Sequence, residues 1–348
     1  MVDYDLLVPY GWTENLARDY LPLLPDGCVP ARVLRVDRGE CDVAGPSGPM
    51  RARCPRADSE LHGLCTGDWV CVDAEANVRA LLPRRTAIRR STASRRSEAQ
   101  TLAANVDTVL ICTACDGDVD LGRIERMLAL TWESGATPVV VLTKADAAQW
   151  IPIEEVRAVA PGAAVVAVSA DTSAGLDVLT ALLVGTVALI GQSGAGKSTL
   201  ANALLGAEVF ATRAVRSVDQ KGRHTTVHRE LRPLPGGQTL IDTPGLRGVG
   251  LWDAAEGIER TFSDVESLAA ACRFDDCAHS TEPGCAVLAA LDSGELPRRR
   301  LDSYRKLAKE NEWMQARTDK RLQAERAKAH REISREVRRL YRDRDSRR

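Results

Sequence analysis

No run in the chain approaches the roughly 18 to 20 uninterrupted apolar residues that a membrane-spanning helix needs. The opening residues, Met1-Val2-Asp3-Tyr4-Asp5, lack the basic and apolar regions of a secretory signal. These absences speak against a membrane partner and the usual route of export, so a soluble cytoplasmic protein is expected; a monomer is expected as well. Aromatic residues are also scarce, at 4% against 44% hydrophobic overall, a composition that still reads as globular. A cytoplasmic chain of this length has no need of disulfides, and most of its ten cysteines sit singly in apolar runs, as Cys41, Cys65 and Cys71 do. Cys112-Thr113-Ala114-Cys115 has the spacing of a redox motif, but it ends the apolar run Val109-Leu110-Ile111 and reads as core strand packing.

Net charge is nearly absent too, at −1, but the balance hides an asymmetry. Residues 296–348 carry 19 Lys/Arg against 9 Asp/Glu, and the rest of the chain carries 28 against 39. A basic arm on an acidic body points to a polyanionic partner, with RNA favoured.

The 348 residues suffice for two or three domains with real cores. Residues 1–28, with Pro9, Pro22, Pro25 and Gly27, read as an irregular arm. Short β-rich pieces between turns, including Ala31 to Val36 and Asp68 to Asp73, predict a small closed barrel of the OB type over 29–83. A basic linker follows at 84–104, with six arginines between Arg84 and Arg96 placed either for solvation or to follow a nucleic-acid backbone. Over 105–265 strands and helices alternate in the doubly wound α/β pattern, with ligands expected at the C-terminal strand ends. Strands are predicted at Val106 to Cys112, Pro138 to Leu142, Ala164 to Val168, Thr186 to Ile190 and Thr239 to Ile241. Helices are predicted at Leu121 to Glu133, Ile153 to Ala160, Leu176 to Leu183 and Ser198 to Leu205. Residues 266–348 form a mostly α unit ending in a basic helix.

Gly191-Gln192-Ser193-Gly194-Ala195-Gly196-Lys197-Ser198 fits the phosphate-binding pattern G-x-x-x-x-G-K-[ST] without a mismatch, after a strand and before a helix that opens with Thr199. Its glycines let backbone N–H groups close on phosphates, Lys197 reaches the β and γ oxygens, and Ser198 holds Mg²⁺. Thr143-Lys144-Ala145-Asp146 fits the guanine box. The Asp146 carboxylate can accept from both donors on one edge of guanine, and the stem of Lys144 lies along the base. Ser169-Ala170 fits the short box whose amides meet the guanine oxygen. Asp242-Thr243-Pro244-Gly245 fits D-x-x-G, with Asp242 reaching Mg²⁺ through water and the Gly245 amide sensing the γ-phosphate. In Gly222-Arg223-His224-Thr225-Thr226, a threonine supplies the switch hydroxyl to Mg²⁺, Thr226 being favoured with Thr225 close behind. Leu246 stands where a water-orienting glutamine is usual, so intrinsic hydrolysis should be slow. His224 is the nearest side chain in sequence able to orient the water. The boxes run guanine box, SA box, P-loop, threonine, D-x-x-G. That order is a circular permutation of the usual one, and it leads the switch directly into the C-terminal region.

Cys272, Cys277, His279 and Cys285 place three thiolates and an imidazole within fourteen residues, a full set for one structural zinc ion with no open position for catalysis. Beyond it, residues 297–348 read as a helix whose apolar face thins among charges.

With these motifs the chain resembles the ribosome small-subunit-dependent GTPase A family, also called the YjeQ or RsgA family, over roughly residues 8 to 315. The resemblance rests on the permuted order, the P-loop, Gly222-Arg223-His224-Thr225-Thr226, the D-T-P-G box and the stretch from Cys272 through Val287. It implies an N-terminal OB domain, a central circularly permuted GTPase using GTP with Mg²⁺ and releasing GDP, and a C-terminal zinc domain. It also implies binding to the 30S subunit and its 16S rRNA late in maturation, with hydrolysis stimulated by the ribosome. Val227 replaces a frequent third threonine, Thr143 replaces Asn, and the arm beyond about 315 is longer and more basic than the resemblance leads one to expect.

Overall fold

Strand-forming residues alternating with charges and broken by Gly and Pro make five short strands: β1 (Val29–Val36), β2 (Glu40–Gly45), β3 (Gly48–Arg53), β4 (Trp69–Val72) and β5 (Val78–Leu81). In the computed structural model the described residues are 3–54, 63–91, 99–210, 229–242 and 253–315. The five strands pair antiparallel in the order β3-β2-β1-β4-β5. The two edges meet at a parallel bridge between Arg53 and Asn77, where the Arg53 N–H donates to the Ala76 carbonyl at 2.8 Å. That contact closes the sheet into a small OB-type barrel filled by Ala31, Val33, Val43, Val70 and Val72.

Residues 5–20 are more regular than the prolines suggest. A 3₁₀ turn (Asp5–Tyr10) leads to helix α1 (Glu14–Tyr20), whose first turn is capped by Thr13. Leu7, Trp12, Leu16 and Tyr20 then pack on Trp69 of the barrel, and burial of these side chains holds the arm in place. The stretch expected as a linker also has structure. β6 (Ala87–Ser91) and β7 (Ala99–Ala104) pair antiparallel, and Ile88 and Leu102 enter the main core.

The central sheet has strands β8 (Thr108–Ala114), β9 (Thr137–Thr143), β10 (Ala164–Ala167), β11 (Thr186–Ile190), β12 (Glu230–Pro233) and β13 (Thr239–Asp242). Their order is β10-β9-β8-β11-β13-β12, all parallel except the edge strand β12. Helices α2 (Leu121–Glu133), α3 (Ile153–Val159), α4 (Leu176–Ala181) and α5 (Lys197–Leu205) cover its two faces, so the Val- and Leu-rich strands are buried on both sides. The chain steps outward from β8 to β10 and then returns to lay β11 beside β8. The crevice at the C-terminal ends of β8 and β11 is therefore the topological switch point, where ligands bind in open α/β sheets.

The opposite end of the sheet is joined to the barrel. Arg32 is 1% exposed, and its guanidinium donates to the Asn105 carbonyl (3.2 Å) and the Thr186 hydroxyl (3.1 Å). Thr186 also accepts from the Thr239 hydroxyl at 3.0 Å, and its N–H donates to Asp107 at 2.7 Å. Gly67 takes a φ of +92°, and a Cβ there would lie 2.3 Å from the Ala104 carbonyl oxygen, so only glycine fits.

After Asp253, helices α6 (Ala255–Thr261), α7 (Ser263–Ala269) and α8 (Ala286–Ser293) and a helix over residues 298–315, α9, form the C-terminal unit. Phe262, Val265, Val287, Leu301 and Leu307 make its core. It docks on α2 through charge. Glu125, fully buried, accepts from Arg299 (2.9 and 3.0 Å) and Arg300 (2.8 Å), and Arg126 forms a bidentate pair with Glu310 (2.6 and 2.7 Å).

Candidate nucleotide site and metal centre

The P-loop leaves β11 at Gly191, whose φ is +145° and whose added Cβ would meet the Cys112 carbonyl oxygen at 2.3 Å. A side chain there would push the loop off the end of β8. Gly194 and Gly196 take left-handed conformations (φ +85° and +70°), turning the chain into α5 while Gln192, Ser193 and Gly194 remain exposed. Lys197, 7% exposed, folds back over its own loop, and its ammonium donates to the carbonyls of Gly191 (3.0 Å) and Gln192 (2.7 Å). Burial is the largest influence on it and lowers its pKa, against the opposing pull of Cys112 and Asp242. Asp242 pairs in register with Leu189 at the end of β13, and burial raises its pKa while Lys197 lowers it. A cation and a carboxylate near enough to act on each other's titration thus lie beside a loop of exposed residues, an arrangement suited to phosphate with a divalent metal. Ser198 and Thr199 follow on the first turn of α5, half-buried.

The guanine box leaves β9 on the same edge. The Thr143 hydroxyl donates to the Ala195 carbonyl at 3.0 Å, tying this box to the P-loop. Threonine therefore supplies a link at the position where the resemblance leads one to expect asparagine. Lys144 has a left-handed backbone (φ +59°), Asp146 is exposed, and the Ala145 N–H donates to the Val168 carbonyl at 3.1 Å, binding the box to the next loop. In that loop Ser169 is buried and its hydroxyl accepts from the Thr172 N–H at 3.1 Å, with Ala170 half-buried beside it. The sheet thus places Thr143, Lys144, Asp146, Ser169, Ala170, Gly191 to Thr199 and Asp242 at the C-terminal ends of four strands. His224, Thr225, Thr226, Gly245 and Leu246 lie outside the described residues, as do residues 316–348 of the basic arm.

Three residues that no nucleotide motif marks also reach this edge. Arg123, in the first turn of α2, donates to the Gln192 side chain. Cys115 and Asp116, just beyond β8, contact Thr143 and Lys144. Cys112 and Cys115 are both buried in the sheet.

The second centre lies between α7 and α8. The ligand atoms of Cys272, Cys277, His279 and Cys285 all fall within 4.8 Å of one another. Cys272 Sγ and Cys285 Sγ are 3.8 Å apart, and His279 Nδ1 is 3.6 and 3.5 Å from them. The Glu282 carboxylate shapes the loop by accepting from the N–H groups of Ala278 (3.2 Å), Ser280 (2.6 Å) and Thr281 (2.9 Å); its own backbone N–H first, and then these, hold its pKa down. Such a Cys₃His set can bind a metal ion.

Comparison with known proteins agrees with this geometry. The RsgA GTPase family model matches residues 81–252. A protein named small ribosomal subunit biogenesis GTPase RsgA from Streptomyces avermitilis is 56% identical, over 92% of this chain and 89% of the relative. Of the solved structures, YjeQ from Thermotoga maritima superposes with a TM-score of 0.59 at 23% identity, covering 82% of this chain and 98% of that one. YloQ, described as a circularly permuted GTPase, gives 0.57 at 20% identity, covering 82% and 96%. These two share the fold with this chain.

Proposed function

Because the chain belongs to the RsgA GTPase family, we propose that it hydrolyses GTP to GDP and phosphate while bound to the small (30S) ribosomal subunit. There it acts as a late-stage assembly and maturation checkpoint factor whose turnover the ribosome stimulates. The observation that carries this reading is the seated P-loop. Lys197 is held by its own loop at the switch point, with the guanine box tied to Ala195.

In this reading the exposed N–H groups of 192–194 and the Lys197 ammonium hold the β- and γ-phosphates, and Asp146 with the Ser169-Ala170 amides selects guanine. Ser198, Thr226 and Asp242 are the residues that would hold Mg²⁺, which when bound neutralises charge on the phosphate oxygens. His224 orients a water whose oxygen bonds to the γ-phosphorus as the bond from that phosphorus to the β–γ bridging oxygen breaks. The charge that grows on the bridging oxygen lies next to Lys197. Leu246 offers water no hydrogen bond, which supports slow turnover of the isolated protein.

Zinc is the ion we assign to the Cys₃His set. Tetrahedral coordination at about 2.3 Å to sulfur and about 2.0–2.1 Å to nitrogen requires ligand separations of about 3.8 Å (S to S) and about 3.6 Å (S to N). The separations of 3.8, 3.6 and 3.5 Å match these edges. All four positions are filled by protein, so its part is to fold the unit that α9 and the basic arm extend. The arm, the barrel and this unit supply the grip on 16S rRNA.

Multiple-turnover GTP hydrolysis with and without 30S particles tests the proposal, and stimulation is expected. Binding of GTP without stimulated turnover would instead make the protein an RNA-binding scaffold with GTP as a structural ligand. Cosedimentation with 30S across a salt series should show affinity falling as salt rises.

A further inference from the structure

The six residues from Cys115 to Asp120, between β8 and α2, match no nucleotide motif, yet they hold the guanine box at two points. The Cys115 N–H and thiol both donate to the Thr143 carbonyl, each at 3.0 Å. One residue on, the Asp116 carboxylate accepts from the Lys144 ammonium at 2.7 Å. Among the described residues Asp116 is the carboxylate in hydrogen-bond contact with Lys144; Asp120 is engaged elsewhere, capping α2 and facing Arg123.

The pair is a poor stability device, because the two side chains are 36% and 41% exposed and solvent screens them. Its geometry suits another task. Lys144 leaves the backbone in a left-handed conformation, which fixes where its stem starts, and Asp116 fixes where it ends. A four-carbon stem held at both ends keeps less rotamer freedom than a free one before any ligand arrives.

We propose that Asp116 is a positioning residue for guanine-nucleotide binding, holding Lys144 extended so that its methylenes form a ready wall for the face of the base. This deepens the reading of Thr143 to Asp146 as the guanine box and rests on it. A wall touches the ring face and is indifferent to the substituents on the base's edge, whereas Asp146 reads that edge. The two roles therefore separate experimentally.

The test measures GDP and inosine diphosphate affinities by displacement of a fluorescent GDP from the full-length, metal-loaded protein. For Asp116→Ala both affinities should fall by about the same factor, on the order of three- to fivefold, through faster dissociation. Asp116→Asn, which keeps an acceptor, should fall between that variant and the parent. In a double-mutant cycle, Asp116→Ala added to Lys144→Ala should cause less than a twofold further loss. Metal content and melting temperature should match the parent in each variant. Independent, multiplying losses in the cycle would overturn the proposal, and so would a shrinking GDP to inosine diphosphate ratio, which would mean that the edge-reading loop had been distorted. If the unmodified protein bound GDP no better than ADP, the guanine-box reading itself would fall, an outcome distinct from either of these.

Discussion

At the C-terminal ends of the central strands the chain leaves Gln192, Ser193 and Gly194 exposed and a buried lysine whose hydrogen bonds go to its own loop. At the N-terminal ends of the same strands Arg32, Asn105, Asp107, Thr186 and Thr239 are hydrogen-bonded to one another or to neighbouring backbone, closing the joint with the barrel. One sheet thus carries an exposed loop and a self-bonded lysine at one end and a sealed polar joint at the other, in which Arg32 Nε is left without a partner among the described residues. The difference teaches where to look for function and where for stability: groups that await a ligand stay available, and groups that lock domains together complete one another.

Substitutions at the two ends should accordingly separate binding from folding. The largest expected effect is from Lys197→Ala, which should lower nucleotide affinity or turnover by about a hundredfold or more while leaving the denaturation midpoint nearly unchanged. Arg32→Ala should do the reverse. It leaves the Asn105 carbonyl and the Thr186 hydroxyl short of a donor and opens a void against Trp69, so urea titration should show a loss of about 3 kcal/mol with nucleotide affinity within about twofold of the parent. If nucleotide binding falls tenfold in that variant, the two ends are not independent. Gly67→Ala forces a Cβ against the Ala104 carbonyl oxygen and should cost about 1–3 kcal/mol by the same titration. The smallest change is expected from Thr143→Val, which removes the hydroxyl bonded to Ala195. It should weaken nucleotide binding several-fold, about 1 kcal/mol, and sharpen the comparison by showing that the ligand end depends on links between its loops.

The ligand end was the more legible in sequence. β11 occupies Thr186–Ile190 and α2 Leu121–Glu133, the ranges expected, because a fully apolar run and a strong amphipathic period leave little choice of register. Glycines marked the P-loop because Gly191 lies too close to Cys112 for a side chain and Gly194 and Gly196 take left-handed backbone conformations. The joint was illegible for the opposite reason. Arg32 lies in a strand whose neighbours are buried on both faces, and nothing local distinguishes it from an arginine that points to solvent. The β6–β7 pair was hidden by its arginines, since Ile88 and Leu102 are the deeply buried large side chains that betray it, one on each strand. The edge strand β12, Glu230–Pro233, has only Leu231 fully inside. Asp116 acts through a contact 28 residues away in sequence, and spacing does not encode that.

The buried carboxylate of Glu125 also bears on the time at which the molecule becomes complete. Its partners Arg299 and Arg300 lie more than 170 residues later in the chain, so during synthesis this charge waits for most of the protein to be made. A carboxylate cannot be sealed into an apolar interface without its counter-charge except at a penalty of several kcal/mol. Helix α2 therefore settles against its final neighbours only after the metal-binding loop has emerged. Because the same helix reaches Gln192 through Arg123, a truncated nascent chain would carry a phosphate loop with one of its supports unset. Synthesis through Arg300 is in this sense a condition for sealing Glu125 at the interface.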